Sequence, residues 1–220
     1  MNITANIFLL ETPRFSNVFL IKDEDHILID TGMPGQTKRI LGELTALNIE
    51  PKTISHILLT HHDVDHTGNI KKLQEATGAT VWIGSDDAPY LMGEMKRPGV
   101  KRIIQSVIRP QKPADCRYFE GSGNFGKLQA IPTPGHTPGH HIFQYNSVVF
   151  TGDLFKTPNG RFKRMPPRMN WEEGQLLSSL SLLRTLSFDW LCPSHGVPVR
   201  NSGTLEKFLD KECRSVGKCE

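Results

Sequence analysis

Leu58-Leu59-Thr60-His61-His62-Asp63-Val64-Asp65-His66-Thr67-Gly68 is the stretch that decides how this chain is read. Three imidazoles and two carboxylates fall within six residues, directly after an apolar run, Ile54 to Thr60, that predicts a buried strand. In an extended chain side chains at i, i+2 and i+4 share one side. His61, Asp63 and Asp65 are therefore expected to converge, with His62 and Val64 on the other side, and a turn at Thr67-Gly68 is expected to bring His66 round to join them. Such groups beside an apolar strand are costly to desolvate unless something pairs with them. A bound cation is the simplest explanation; the alternative is a polar loop that is rich in histidine.

Outward from this stretch, 220 residues suffice for one domain with a substantial core, taken as 1–220. There is no low-complexity tract and no internal repeat, and a net charge of +3 says little about partners. The four cysteines, Cys116, Cys192, Cys213 and Cys219, form no C-x-x-C pair, which argues against a structural zinc knuckle. Free thiols are expected, with Cys213 and Cys219 as the one candidate pairing. The start, Met1-Asn2-Ile3-Thr4, lacks a basic segment followed by an apolar one, and no apolar run is long enough to cross a bilayer. A cytoplasmic protein without a membrane partner is the expectation.

Strand-like runs at Val18 to Ile21 and His26 to Asp30 come first, joined by a charged turn. Asp30-Thr31-Gly32 then leads into a helical pattern from Gln36 to Leu47. A helix is expected near Ile70 to Ala76, a strand at Thr80 to Ile83, and an irregular segment from about 88 to 113. Strand pairs surround Pro134-Gly135-His136 and Thr151-Gly152-Asp153. A helix from Trp171 to Leu186 follows, since Leu176, Leu177, Leu180 and Leu183 share one face. A strand ends at Cys192 before Pro193-Ser194-His195-Gly196, and a short helix closes the chain near Thr204 to Lys211. The polar signals sit at strand ends. An α/β (α+β) architecture is expected, two sheets face to face with helices outside and a site at one edge. No Gly-x-Gly-x-x-Gly run leads from a strand into an expected helix, which argues against the usual dinucleotide site.

Five motifs occur in order: Asp30-Thr31-Gly32, His61-His62-Asp63-Val64-Asp65-His66, Gly135-His136-Thr137-Pro138-Gly139-His140, Thr151-Gly152-Asp153 and Ser194-His195-Gly196. In these the chain resembles the metallo-β-lactamase-fold hydrolases. The resemblance implies an αββα sandwich of two mixed sheets with flanking helices and a metal site at one edge. It also implies that His61, Asp63 and His136 hold a first ion, that Asp65, His66 and His195 hold a second, and that Asp153 bridges them. A water between the ions would be the nucleophile, Asp65 would orient it and move a proton, and Asp30 would support the metal loop from behind. For Asp30 a strand-end turn residue is the alternative. His62 is out of register and is read as a non-ligand. His140 and His141 are read as wall histidines, and His26 and His56 as strand-turn residues.

The chain departs from the commonest family motif at Asp63, where histidine is usual. Three ionised carboxylates and one hydroxide then balance two divalent cations to a net charge of zero, against +1 with histidine. A more oxygen-rich site leans towards iron or manganese, although zinc remains competitive through its intrinsic affinity. Two divalent ions (zinc, iron or manganese) are thus the expected cofactors, and metal-assisted hydrolysis of an ester, thioester or lactone the expected chemistry. Asp153 argues against antibiotic hydrolysis, because the true β-lactamases that the chain resembles carry cysteine or serine there. Leu154-Phe155-Lys156 lacks the tyrosine common in similar lactonases, and an added C-terminal helical region of glyoxalase-II-like thioesterases is not evident. The basic residues Lys156, Arg161, Lys163, Arg164 and Arg168, with Lys96, Arg97, Lys101, Arg102, Arg109 and Lys112 upstream, are expected to attract an anionic small-molecule substrate; the alternative is a solvated surface. Phe155, Phe162, Met165, Met169 and Trp171 form either an apolar substrate wall or ordinary loop packing. Competing readings are a non-haem iron oxidoreductase or sulfur dioxygenase, and a phosphodiesterase or nuclease. No aromatic-basic stacking pattern singles out nucleic acid as a partner.

Overall fold

The computed structural model describes residues 1–11, 15–97, 100–108 and 112–214. The chain divides into two compact units, Met1–Glu120 and Gly121–Glu220.

The first unit is built on a seven-stranded mixed sheet, and its strands lie side by side in chain order. They are β1 (Asn2–Thr4), β2 (Ile7–Leu10), β3 (Val18–Lys22), β4 (His26–Ile29), β5 (Ile54–Leu58), β6 (Thr80–Gly84) and β7 (Arg117–Phe119). Pairing is antiparallel from β1 to β4 and parallel from β4 to β7. A parallel pair needs a crossover rather than a tight turn. Helices α1 (Thr37–Ala46), α2 (Val64–Thr67), α3 (Ile70–Thr77), α4 (Ala88–Leu91) and α5 (Val100–Val107) lie in these crossovers. Ile40 and Leu44 of α1, Ile70 and Leu73 of α3 and Leu91 of α4 pack with Leu28, Ile57 and Val81 of the sheet. Burial of each such side chain contributes roughly 1.5–3 kcal/mol, which holds the strand ends where the polar residues emerge.

The second unit carries a six-stranded mixed sheet. Its strands include β8 (Gly123–Phe125), β9 (Leu128–Pro132), β10 (His141–Tyr145) and β11 (Val148–Gly152). A two-stranded ribbon, β12 (Phe155–Lys156) and β13 (Lys163–Arg164), interrupts the chain before helix α6 (Glu173–Leu182). Then come β14 (Trp190–Pro193), β15 (Val199–Arg200) and α7 (Gly203–Arg214). Only the β11–β14 pair in the larger sheet is parallel. Leu176 and Leu180 of α6 pack with Leu205 and Leu209 of α7 and with Ile142, Val149 and Leu191 of the sheet. Glu172 begins α6, its carboxylate accepting from the N–H groups of Gly174 and Gln175 at 2.8 and 2.5 Å.

Two mixed sheets with flanking helices agree with the expected class. The differences are local. Strand β5 stops at Leu58, and the backbone enters α2 already at Val64, so strand alternation does not carry the motif as expected. The segment 88–113 contains α4 and α5 rather than irregular chain, because Val100, Ile103, Ile104 and Val107 recur at helical spacing. Asn2–Thr4 and Ile7–Leu10 add two strands at the start, and α6 starts at Glu173 instead of Trp171. The loop 154–170 holds the β12–β13 ribbon. Arg109 and the Cys213–Cys219 pairing lie outside the described residues, where side chains are concerned. Among the described residues no helix is long and apolar enough to cross a membrane.

Candidate metal centre

In the first unit, the C-terminal ends of β4 and β5 deliver the donors. Asp30, just past β4, takes a left-handed backbone at φ +60° and is buried. Its Oδ1 accepts from the Thr60 backbone N–H at 2.8 Å; its Oδ2 accepts from the Thr60 hydroxyl and faces His66 Nδ1, each at 2.8 Å. Since a carboxylate only accepts, the proton of the His66 ring sits on Nδ1, and Nε2 keeps its lone pair. The Thr60 oxygen, having donated to Asp30, accepts from His61 Nδ1 at 3.0 Å and leaves His61 in the same tautomer. Asp30 thus has the supporting position expected of it.

The same loop fixes the carboxylates. Asp63 precedes α2 and its carbonyl accepts from the N–H groups of His66 and Thr67. Helical winding, not a turn at Thr67-Gly68, brings His66 back beside Asp65. His61 Nε2 lies 3.3 Å from Asp63 Oδ2, and His66 Nε2 lies 3.7 Å from Asp65 Oδ2. His61 and His66 rings are 3.9 Å apart between centroids. His62 turns away: it stacks on Tyr90 at 4.7 Å and places Nδ1 2.8 Å from Asp87 Oδ2. Burial outweighs the Asp87 carboxylate and holds the His62 imidazole down at about 4, so the ring is neutral near pH 7.

In the second unit, His136 follows Gly135, whose φ of +131° and contact with α6 demand glycine: a Cβ there would lie 2.2 Å from the Leu176 nitrogen. His136 Nδ1 is 3.0 Å from Asn170 Oδ1, and the Asn170 amide in turn donates to Glu173. This again leaves Nε2 as the lone-pair nitrogen, 3.3 Å from Asp153 Oδ2. His195 Nε2 is 3.2 Å from Asp153 Oδ1. The His195 loop is anchored by the Thr157 N–H donating to the His195 carbonyl at 2.8 Å, against Gly196 at φ +106°. His140, expected as a wall histidine, has both ring nitrogens engaged by the protein. Its Nε2 accepts from the Asp153 N–H at 3.0 Å while Nδ1 meets the Thr133 hydroxyl at 2.8 Å.

Each unit therefore brings its own donors together: His61, Asp63, Asp65 and His66 in the first, His136, Asp153 and His195 in the second. Imidazole nitrogens and carboxylate oxygens are what a divalent transition ion takes. Donors about 2.0–2.2 Å from a tetrahedral ion stand about 3.3–3.6 Å from one another. The pairs at 3.3, 3.3 and 3.2 Å lie at or next to that edge and the His66–Asp65 pair at 3.7 Å just beyond it; the Nδ1 contacts of His61, His66 and His136 leave their Nε2 lone pairs facing carboxylate oxygens, an arrangement that a cation stabilises. The residues fit a metal.

Reasoning from sequence overlooked Asn170, Arg97 and Lys101 as individual parts of this region. Nothing near Asn170 in the chain marks it. Arg97 and Lys101 read only as members of a basic run, yet both are buried and contact Asp63. Of the basic loop after Asp153, Arg164 pairs with Glu173 and Glu212, whereas Arg161, Lys163 and Arg168 are solvated or nearly so. Phe155 belongs to the core, and Phe162 stacks on Phe208 at 5.5 Å, which is loop packing.

Comparison with known proteins extends these features. The model of the Metallo-beta-lactamase superfamily matches residues 12–195. The chain is 31% identical over 207 residues to the uncharacterized protein YobT of Bacillus subtilis (strain 168), with 84% of each covered. It is 28% identical over 173 residues to a hydroxyacylglutathione hydrolase of Shewanella baltica (strain OS223), covering 78% of this chain and 57% of that protein. The chain thus spans little more than half the length of that relative. Among solved structures, BJP-1, a subclass B3 metallo-β-lactamase of Bradyrhizobium japonicum, superposes with a TM-score of 0.72 at 22% identity, over 99% of this chain and 92% of that one. The likeness in fold and the match across five-sixths of the chain converge with the donor chemistry: this chain belongs to the metallo-β-lactamase superfamily and is one of its hydrolases.

Proposed function

We propose that the two donor sets serve one dinuclear centre and that the protein hydrolyses thioesters. In this reading the two units act as a single domain, since one family model runs through both. His61, Asp63 and His136 would hold a first ion and Asp65, His66 and His195 a second, with Asp153 available to both. Neither unit's donors alone suffice for two ions. Bound there, two divalent ions supply Lewis acidity and a hydroxide-level nucleophile near neutral pH. The chain's own groups do the rest. Asp65, a quarter exposed where His66 is fully buried, orients the water and carries its proton. Asp30 and Asn170 keep Nε2 of His66 and His136 directed at the ions. The observation that carries the reading is the trio of imidazole–carboxylate separations at the edge length of a coordination tetrahedron.

The choice of thioester among ester, thioester and lactone is supported by the hydroxyacylglutathione hydrolase relative. Metal content measured by mass spectrometry, with thiol release from hydroxyacyl thioesters followed on the same sample, tests both parts. Two ions per chain and thiol release abolished by Asp153→Asn are expected. Two ions with no thiol release but cleavage of phosphodiesters, or oxygen uptake by iron-loaded protein, would replace the thioester reading; fewer than two ions would remove the dinuclear one.

A further inference from the structure

Asp63 stands where the commonest family motif has histidine, and both of its carboxylate oxygens face buried cations. Arg97 contacts Oδ1; Lys101 Nζ lies 2.5 Å from Oδ2, the same oxygen that is 3.3 Å from His61 Nε2. Arg97 is 3% exposed and Lys101 8%. Asp87, also fully buried, lies beside this group, with His62 Nδ1 2.8 Å from its Oδ2. Buried guanidinium and ammonium groups are tolerated only where a carboxylate compensates them. Two cations and two carboxylates therefore make a balanced buried cluster, in which Asp63 is shared between the cations and the donor edge with His61.

A carboxylate that gives hydrogen bonds and charge to Arg and Lys has less to give to a metal. We propose that Arg97, Lys101 and Asp63 form one charge-compensated ligand unit: the two cations bring the carboxylate down towards the donor strength of the neutral histidine it replaces. This deepens the dinuclear reading and rests on Asp63 being a ligand. When Arg97, Lys101 and Asp87 are added to the zero charge of the two-ion site, the sum becomes +1, the value of the histidine version. The lean towards iron and manganese that a bare carboxylate implies is thereby removed, and the first position favours zinc-type ions. Arg97 and Lys101 are positioning residues, acting through Asp63.

The test uses Co²⁺ binding to the full chain by chelator competition, with the Co²⁺ absorption spectrum as readout, together with thermal melting of the metal-free protein. Lys101→Met removes a like charge near the ion, so one of the two Co²⁺ binding steps should tighten about tenfold. Asp63→His leaves two buried cations facing an imidazole; it should weaken that step by at least about tenfold and lower the melting temperature. Adding Lys101→Met to Asp63→His should recover part of both. A merely structural role for the cations would move melting alone and leave the Co²⁺ constants and spectrum unchanged. If Lys101→Met does not fold, Lys101→Gln removes the same charge and must show the same tightening. Wild-type protein that binds two Co²⁺ while every variant stays within twofold overturns this inference alone. Wild-type protein that binds none overturns it together with the dinuclear reading.

Discussion

Replacing Asp30 with Asn isolates what holds His66, a ligand of the proposed second ion. The left-handed backbone at φ +60° suits Asn as well as Asp, so the substitution adds no backbone strain. The side chain keeps its shape, yet its hydrogen-bonding changes sign at one end. Asp30 accepts at Oδ1 from the Thr60 N–H and meets the Thr60 hydroxyl and His66 Nδ1 at Oδ2. With the amide nitrogen at the first position, it faces a backbone N–H, donor against donor. With the nitrogen at the second, His66 must shift its proton to Nε2, the atom that should bind metal. A buried mismatch costs about 1–3 kcal/mol, and loss of such an outer partner lowers metal affinity by about 10–100-fold, or about 1.4–2.8 kcal/mol. Chelator competition reads the affinity, and urea unfolding of the metal-free protein reads the stability. One ion should loosen by that factor while the other is nearly unmoved. Affinity within twofold of the wild type at both ions would refute the tautomer argument.

Three further outcomes follow from the same geometry. Gly135→Ala should destabilise the protein by more than about 3 kcal/mol in urea unfolding, because a Cβ 2.2 Å from the Leu176 nitrogen meets backbone as well as an unfavourable φ; a shift under about 1 kcal/mol would contradict the close approach. Asn170→Ala frees His136 Nδ1 and should weaken metal binding at least about tenfold, with fold stability changed much less; equal affinity would show that the His136 ring is held by something else. Cys192 is fully buried, and burial pushes its thiol far above the usual range, while Cys116, half-buried, is raised less. Iodoacetamide at pH 8 should therefore leave Cys192 unmodified in the native protein and label it in urea, as peptide mass spectrometry would show; rapid native labelling would count against that burial.

What could be read from the chain depended on how local each determinant is. Of the proposed donors, His61, His136, Asp153 and His195 sit within four residues of a strand end and Asp63, Asp65 and His66 follow in the same motif, so motif and strand pattern point to them together. Asp30 is legible for the same reason: β4 ends at Ile29 and pairs in parallel with β5. The path of the loop was not legible. Period-two reasoning assumes that the strand persists, whereas β5 ends three residues before His61 and the Asp63 carbonyl starts a helical turn at Val64. β4 has ended at Ile29, opposite Leu58, so beyond Leu59 the chain is no longer held on both sides. Lys101 lies 38 residues from Asp63 in sequence, and only a folded crossover through α5 brings the two charges together. In the chain, Lys101 and Arg97 look like any solvated basic residues. Burial alone separates them from Arg102, which is exposed one residue away, and the proposed compensation at Asp63 rests on that burial of both cations against its carboxylate.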